Sequence, residues 1–390
     1  LSGGGLRSSN FSAACMFELQ KMGILDHVDC ISSVSGGSLP AAYYCVGQRW
    51  DPQTLQERLT HPFANDVLFT MLQPWNMFAL WVSSWDRSDV LADSFQRNLY
   101  SRDGRGLTFA DLRGDRPRLL INCTDLQSGK KFVFSDEEFD TINSDLNKYP
   151  IAWAVAASSA VPVVLHQVTL RDYSTIFEQY RHLIDGGIYD NLGVTSLVET
   201  YAAQIESARQ QGKADPYPRG MILLVIDAHT EASSELESKP DVGLLESLSA
   251  GAGLSTTVLL NRISSATMSD LILKYSAPGT TAQTLLDQIK QLNDTGLLDT
   301  KDRLGKRVRV VYITLAKVGE LSESPFFGFG YRINSIAAYF NIDTKEAYDL
   351  YKAAALLLNG KVQDRLGEIA RDLNSAQGAS TQPTGASSGR

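Results

Sequence analysis

The stretch Ser33-Val34-Ser35-Gly36-Gly37-Ser38 decides how the N-terminal part of this chain is interpreted. An apolar run that ends at Val34 precedes Ser35, and a segment of small residues over 39–46 follows the glycines. This order predicts a strand, a sharp turn with Ser35 at its apex, and a helix that begins directly afterwards. Such an elbow exposes the serine hydroxyl and directs the helix N-terminus towards an anion formed beside it. The pattern favours a nucleophilic serine.

A glycine run, Gly3-Gly4-Gly5, stands about 30 residues before this elbow. It lacks the lysine of a phosphate-binding Walker loop, and Ser8 replaces the last glycine of the dinucleotide fingerprint G-x-G-x-x-G. A strand–glycine–helix turn remains, whose backbone amides are suited to bind a developing oxyanion. We therefore predict an oxyanion hole at Gly3, Gly4 and Gly5, with the amides of Gly4 and Gly5 as its main donors.

A serine hydroxyl needs a base that takes its proton, and Asp185 is the candidate. It ends a short apolar segment and precedes Gly186 and Gly187, which let the backbone pass close to another element. The alternative is that Asp185-Gly186-Gly187 is only a tight turn. If Asp185 has the ordinary aspartate pKa, near 4, the enzyme should stay active well below the range in which histidine titrates.

Four blocks of sequence resemble the patatin-like phospholipases, in particular the bacterial type of lysophospholipase and acyl hydrolase. In chain order they are Gly3-Gly4-Gly5-Leu6-Arg7, Ser33-Val34-Ser35-Gly36-Gly37, Ala157-Ser158-Ser159-Ala160-Val161-Pro162 and Asp185-Gly186-Gly187. The resemblance implies a Ser–Asp dyad in which Ser35 is the nucleophile, Asp185 the base, and Gly4 and Gly5 the oxyanion donors. It also implies that Arg7 lies beside the glycines, where it meets a substrate phosphate or braces the loop. A plain surface arginine is the alternative.

The same resemblance implies hydrolysis of carboxylic esters through an acyl-enzyme, with a phospholipid or lysophospholipid as the substrate. A soluble short-chain ester is the alternative substrate. The sequence contains no calcium loop of the D-x-D-x-D-G type and no C-x-x-C zinc spacing among its four cysteines. We therefore expect no metal and no cofactor.

Two rival interpretations come from other classes. A Ser35–Asp185–His229 triad has the chain order of the α/β-hydrolases, and His229 follows the apolar run Met221–Asp227. That fold places several strands before its elbow, whereas only one is predicted here, so the dyad is favoured. The other rival is a lipid-binding pseudoenzyme that has kept the fold and lost turnover, which the retained serine, aspartate and glycines argue against.

The net charge of -8, without an evident basic face, argues against a nucleic-acid partner. Helices that alternate with short apolar strands predict an α/β fold, and the resemblance implies a three-layer α/β/α architecture with a mostly parallel central sheet. We predict one domain over residues 1–373, with its core in 1–230 and helical and strand additions in 231–373. A disordered tail is expected over 374–390.

Membrane contact is suggested by one segment, residues 61–85, which contains three of the five tryptophans and almost no charge. It is either a pair of core helices or an interfacial or lid element in peripheral contact with a membrane. No run of 18 apolar residues occurs, so no transmembrane segment is expected. The sequence begins without a methionine, which we interpret as the loss of the natural N-terminus and of any targeting segment, and no compartment is predicted.

Overall fold

The structure, a computed structural model, describes residues 1–73, 86–162, 164–230, 262–321, 328–336, 340–360 and 362–380. The strands are β1 (Cys30–Val34), β2 (Ser101–Arg102), β3 (Arg105–Gly106), β4 (Arg118–Asp125), β5 (Lys131–Phe134), β6 (Val168–Asp172), β7 (Gln179–Asp185), β8 (Met221–Asp227), β9 (Leu297–Lys301) and β10 (Arg307–Thr314). The N-terminal helices are α1 (Gly5–Lys21), α2 (Ser38–Cys45), α3 (Pro52–Leu59), α4 (Phe63–Leu72), α5 (Arg87–Asn98), α6 (Asp136–Thr141), α7 (Ile151–Ser158), α8 (Gly187–Asp190) and α9 (Val194–Gln210). The C-terminal helices are α10 (Ala282–Thr295), α11 (Val318–Leu321), α12 (Phe329–Ser335), α13 (Thr344–Leu358) and α14 (Gln363–Ser380), and residues 262–275 are also helical.

The central strands of the sheet are parallel. β1 pairs with β4 and β8 pairs with β10 in parallel register. The first residues of the chain join the two pairs, because Val34 donates its N–H to the Leu1 carbonyl at 3.1 Å and Ser2 donates to Ile226 at 3.0 Å. Antiparallel pairs lie towards the edges, where β5 and β7 bind β4, β6 binds β7, and β9 binds β10. The predicted α/β fold with a mostly parallel central sheet is confirmed.

Two hydrophobic cores lie on opposite faces of this sheet. In β8, Leu223 and Val225 belong to one core, which also contains apolar side chains of α9 and α10. Leu224 and Ile226 contact the other core, which contains side chains of α1 and α13. This alternation follows from the two-residue period of a strand, which sends successive side chains to opposite faces. Helices therefore cover both faces, and the predicted three layers are confirmed.

The register of the strands brings the predicted nucleophile and base to the same level of the sheet. Val34, the residue before Ser35, lies opposite Asn122 of β4, and Cys123 of β4 lies opposite Asp185. Adjacent strands are about 4.8 Å apart, so the backbones of Ser35 and Asp185 flank β4 at a separation of roughly 10 Å. The candidate site is therefore at the carboxyl end of the parallel strands.

Two predictions about peripheral segments have different outcomes. The tail predicted from residue 374 is wrong at its start, because α14 continues to Ser380, while 381–390 lie outside the described residues. Within the aromatic segment, α4 is described and exposes most of Leu68, Phe69 and Leu72, but 74–85 lie outside the described residues. Whether residues 61–85 form core helices or an interfacial lid therefore stays a prediction. Among the described helices, none combines the length and the hydrophobicity needed to cross a bilayer.

Candidate active site

Ser35 lies at a strained apex between β1 and α2. Its φ is 48°, which lies in the left-handed region. A residue with a Cβ adopts this region only at a cost in free energy, and such strain concentrates at functional sites. A turn over Ser35–Gly37 leads directly into α2. The predicted strand, turn and helix are confirmed, and Ser35 itself is 4% exposed. The hydroxyl thus occupies a site largely shielded from bulk water.

The glycine run passes directly against this elbow. A Cβ on Gly36 would lie 1.9 Å from the carbonyl oxygen of Gly5, so only glycine allows the two backbones to approach this closely. Gly4 and Gly5 have φ values of 133° and 57°. Gly5 begins α1, and the first amides of a helix have no partner within it. The glycine run is thus held against the elbow, and the role of the Gly4 and Gly5 amides as oxyanion donors stays a prediction.

Gly3 differs from its neighbours in this respect. Its N–H donates to the backbone carbonyl of Asn191 at 2.9 Å, as part of the contacts that hold the start of the chain in the sheet. An amide that already has a partner is not free to bind an oxyanion. The prediction that included Gly3 as a donor is therefore corrected, and Gly4 and Gly5 remain as the candidates.

Asp185 is buried at the end of β7, with 5% of its surface exposed. Burial raises the pKa of its carboxyl group to about 6, while hydrogen bonds from the Gly187 amide and the Ser35 hydroxyl act in the opposite direction. The Gly187 N–H donates to Oδ1 at 2.7 Å. The expectation of a pKa near 4 was wrong, because it took no account of how completely the fold removes this carboxylate from water.

The end of α7 holds both residues in place, a role that the sequence pattern alone does not reveal. Ser158 accepts a hydrogen bond from the Ser35 N–H at 2.8 Å and donates its own hydroxyl to the Asn122 carbonyl at 2.6 Å. The Ser158 backbone carbonyl accepts a hydrogen bond from the Gly186 N–H. Two residues further along the chain, the Ala160 carbonyl accepts a hydrogen bond from the Asp185 N–H at 2.9 Å. Ser158 therefore links the elbow to β4 and to the backbone of Gly186, the residue after the aspartate.

Replacing Ser158→Ala leaves the buried Ser35 N–H without its acceptor, so we expect about 1–3 kcal/mol of lost stability. Because the elbow also loses its anchor, covalent labelling of Ser35 by a fluorophosphonate should slow by about tenfold or more. The matched control is Ser159→Ala, since the adjacent Ser159 hydroxyl is buried without a hydrogen-bond partner in the described part of the chain. Thermal melts and labelling rates that are equal in the two variants would contradict this role.

Arg7 is a buried residue of α1 rather than a surface arginine, with 5% of its surface exposed. Its Nη1 donates to the Ile336 carbonyl at 2.8 Å and to the Thr230 hydroxyl at 3.3 Å. Burial lowers the pKa of the guanidinium to about 10, and the nearby Asp227 opposes that change. The contacts tie the start of α1 to the chain beyond β8 and to the C-terminal region, which favours the loop-bracing interpretation.

His229 does not contact the other members of the rival triad. Among the described residues, no hydrogen bond joins it to Ser35 or Asp185, and its buried Nδ1 has no partner there. Its backbone N–H donates to the Asp227 carboxylate at 3.0 Å, two residues back in the chain. The described hydrogen bonds therefore give no support to the triad.

A cavity of about 570 Å³ extends along β8, where residues from Met221 to Ile226 line it. Its walls include the first residues of three strands, Cys30, Arg118 and Met221, and neither Ser35 nor Asp185 lines it. In the parts of the chain that the structure covers, no group of three histidine, cysteine or acidic side chains is arranged to hold a metal.

Comparison with known families gives one match, to a family described as patatin-like phospholipase, over residues 1–198. No curated protein sequence matches the chain. Residues 1–198 contain all four sequence blocks, the elbow and Asp185.

Two solved structures of a human protein share the fold. The human GIVD cytosolic phospholipase A2 aligns with a TM-score of 0.53 at 12% identity, over 96% of this chain and 62% of that protein. The same human protein in complex with methyl gamma-linolenyl fluorophosphonate and terbium chloride aligns with a TM-score of 0.52 at 14% identity, over 97% and 59% of the two chains. The chain thus spans about three fifths of the length of these structures. At such identities the likeness concerns the fold alone.

Proposed function

We propose that this chain, which belongs to the patatin-like phospholipase family, is a lipid acyl hydrolase that cleaves carboxylic esters with Ser35 and Asp185. One observation carries the proposal. A strained, shielded serine and a buried aspartate lie at one level of the sheet, on either side of β4, and the Ser35 hydroxyl is among the influences that lower the pKa of the Asp185 carboxyl group. This arrangement supports a nucleophile and a base that act without a third residue.

In the proposed reaction, Ser35 Oγ attacks the ester carbonyl carbon and its proton passes to the Asp185 carboxylate. The amides of Gly4 and Gly5 bind the oxyanion of the tetrahedral intermediate. The intermediate collapses to an acyl ester on Ser35, and the departing alcohol takes the proton from Asp185. Water then attacks the acyl ester with Asp185 again as base, which releases the carboxylic acid and restores the serine.

The proposed substrate is a phospholipid or lysophospholipid. The test is the release of free fatty acid from a panel of defined diacyl phospholipids and lysophospholipids, with a soluble short-chain ester for comparison. Hydrolysis of the lipids supports the proposal. Hydrolysis of the soluble ester alone would mean that the protein is an esterase for soluble substrates and not a lipid acyl hydrolase. A lipid-binding pseudoenzyme would bind the lipids and release no fatty acid from any of them.

The rate should depend on pH through the base. Because the dyad needs Asp185 as a carboxylate and burial raises its pKa to about 6, kcat/KM for a soluble ester should fall below that pH. The fall should approach tenfold per pH unit as the carboxylate becomes protonated. Initial rates between pH 4.5 and 8 measure this profile. A flat profile down to pH 4.5 would contradict Asp185 as the base.

This acid limit lies where a histidine base would also titrate, so the pH profile alone does not separate dyad from triad. His229→Ala resolves the two mechanisms, because under the dyad the same inflection near pH 6 persists in this variant. Its disappearance would assign the inflection to the histidine.

A further inference from the structure

The hairpin of β6 and β7 extends beyond the edge of the sheet that holds Ser35. Asp185 lies opposite Cys123, and Leu183 lies opposite Asp125, where β4 ends. Residues 179–181 therefore run past the end of β4 and pair only with β6. Because β7 is antiparallel to β4, its first residue, Gln179, lies beyond the carboxyl end of the parallel strands. At about 3.4 Å per residue, it is roughly 20 Å from Asp185 along the strand.

The loop at the end of this hairpin, residues 173–177, presents apolar side chains to solvent. Ile176 is 96% exposed, Phe177 73% and Tyr173 53%. Single exposed apolar residues are common on protein surfaces, but three within five residues at the end of a projecting arm are not. We call this loop the hairpin tip.

The hairpin tip is held in this conformation by hydrogen bonds within the hairpin and by one to the segment that follows α6. The Tyr173 N–H donates to the Ile142 carbonyl at 2.9 Å, and the Ser174 N–H donates to the Asp172 carboxylate at 2.9 Å. The Thr175 hydroxyl donates to the Phe177 carbonyl at 2.8 Å. The backbone of the loop is thus fixed by polar contacts while the side chains of Ile176 and Phe177 remain exposed.

The charged residues next to the hairpin tip are paired with one another. Arg171 pairs with Glu178 at 3.1 Å, and Arg181 lies within 3.4 Å of Asp172 and 3.2 Å of Asp125. The tip itself contains no charged residue. The four charged residues of the arm, Arg171, Asp172, Glu178 and Arg181, thus all have ion-pair partners beside the apolar tip.

We propose that the hairpin tip is a membrane anchor that inserts Ile176 and Phe177 into the interface of a phospholipid bilayer. Aromatic and aliphatic side chains favour that boundary, where tyrosine and phenylalanine lie among the headgroups. A protein partner is a poorer fit, because a stable complex buries about 800 Å² on each side, more than a five-residue loop supplies. This proposal rests on the proposed function. The anchor lies beyond the same end of the strands as Ser35 and would bring that serine close to lipid.

The test measures binding to vesicles of phosphatidylcholine and phosphatidylglycerol in a Ser35→Ala background, so that hydrolysis does not consume the vesicles. The double substitution Ile176→Ser and Phe177→Ser should lower the partition coefficient by about tenfold or more. The matched control is Leu273→Ser with Leu286→Ser, two leucines that are 51% and 61% exposed and lie in other helices. This control should bind as the parent does.

A second measurement reports insertion directly. With tryptophan introduced by Phe177→Trp, brominated lipids should quench the added fluorescence, whereas Leu286→Trp should show no such quenching. A parent protein that does not bind vesicles, or equal binding by the parent and the double variant, would overturn the anchor. So would a double variant that only changes the oligomeric state, because the hairpin tip would then contact another protein chain.

Activity on a soluble short-chain ester separates this inference from the proposed function. The hairpin substitutions, made in the otherwise unaltered chain, should leave that activity unchanged while vesicle binding is lost. A chain that binds vesicles through the hairpin tip but hydrolyses no ester would refute the proposed function and leave the anchor standing.

Discussion

Ser35→Ala should lower kcat/KM for ester hydrolysis by at least about a thousandfold, as expected when the nucleophile of a hydrolase is removed. Alanine keeps the backbone of β1, the turn and α2, and removes only the oxygen that attacks the ester. Initial rates on a soluble ester and on a lysophospholipid should fall together, because both substrates require the same acyl-enzyme.

The control for this prediction is Ser33→Ala, two residues earlier in the chain. Ser33 is also fully buried, and its hydroxyl donates to the Leu120 carbonyl at 3.2 Å. Its removal should cost about 1 kcal/mol of stability and change the rate only a few-fold. Equal losses in both variants would mean that a damaged fold, and not a missing nucleophile, explains the effect of Ser35→Ala.

Asp185→Asn should lower kcat/KM by between about a hundredfold and ten-thousandfold, the usual contribution of a general base. Asparagine has nearly the same shape as aspartate, and its carbonyl oxygen can still accept the hydrogen bond from Gly187. It cannot accept the proton of Ser35. A circular dichroism spectrum equal to that of the parent, together with the lowered kcat/KM, would attribute the effect to the missing base.

His229→Ala is the matching control, because the triad and the dyad predict opposite results for it. Since His229 makes no described hydrogen bond to Ser35 or Asp185, the variant should keep its rate within a few-fold. A loss comparable with that of Asp185→Asn would contradict the dyad and restore the triad.

The local features of the site could be predicted from the sequence because short-range patterns carry them. An apolar run, a serine with two glycines and a small-residue segment fix the elbow, and the structure has β1, the turn and α2 there. The glycines at 36 and 186 are required by close contacts with the backbones of Gly5 and Asn122. Only the need for glycine, and not the contact partner, was visible in the sequence.

Features that depend on distant contacts were not predictable in the same way. The pKa of Asp185 depends on burial by the whole fold, and the engagement of Gly3 depends on the position of Asn191. The role of Ser158 required the meeting of α7 with β1 and β4. One signal was available, since Asn122 is a polar residue between the apolar Ile121 and Cys123, and a buried polar side chain there requires partners.

The most direct test of the central claim is the mass of the protein after treatment with a fluorophosphonate probe, the class of inhibitor bound in the human phospholipase A2 structure. Attack by Ser35 Oγ on phosphorus expels fluoride and forms one phosphonyl ester. We expect a single adduct per chain, mapped by peptide sequencing to Ser35, absent in Ser35→Ala and formed more slowly in Asp185→Asn. A chain that remains unlabelled, or that is labelled at another residue, would contradict the account.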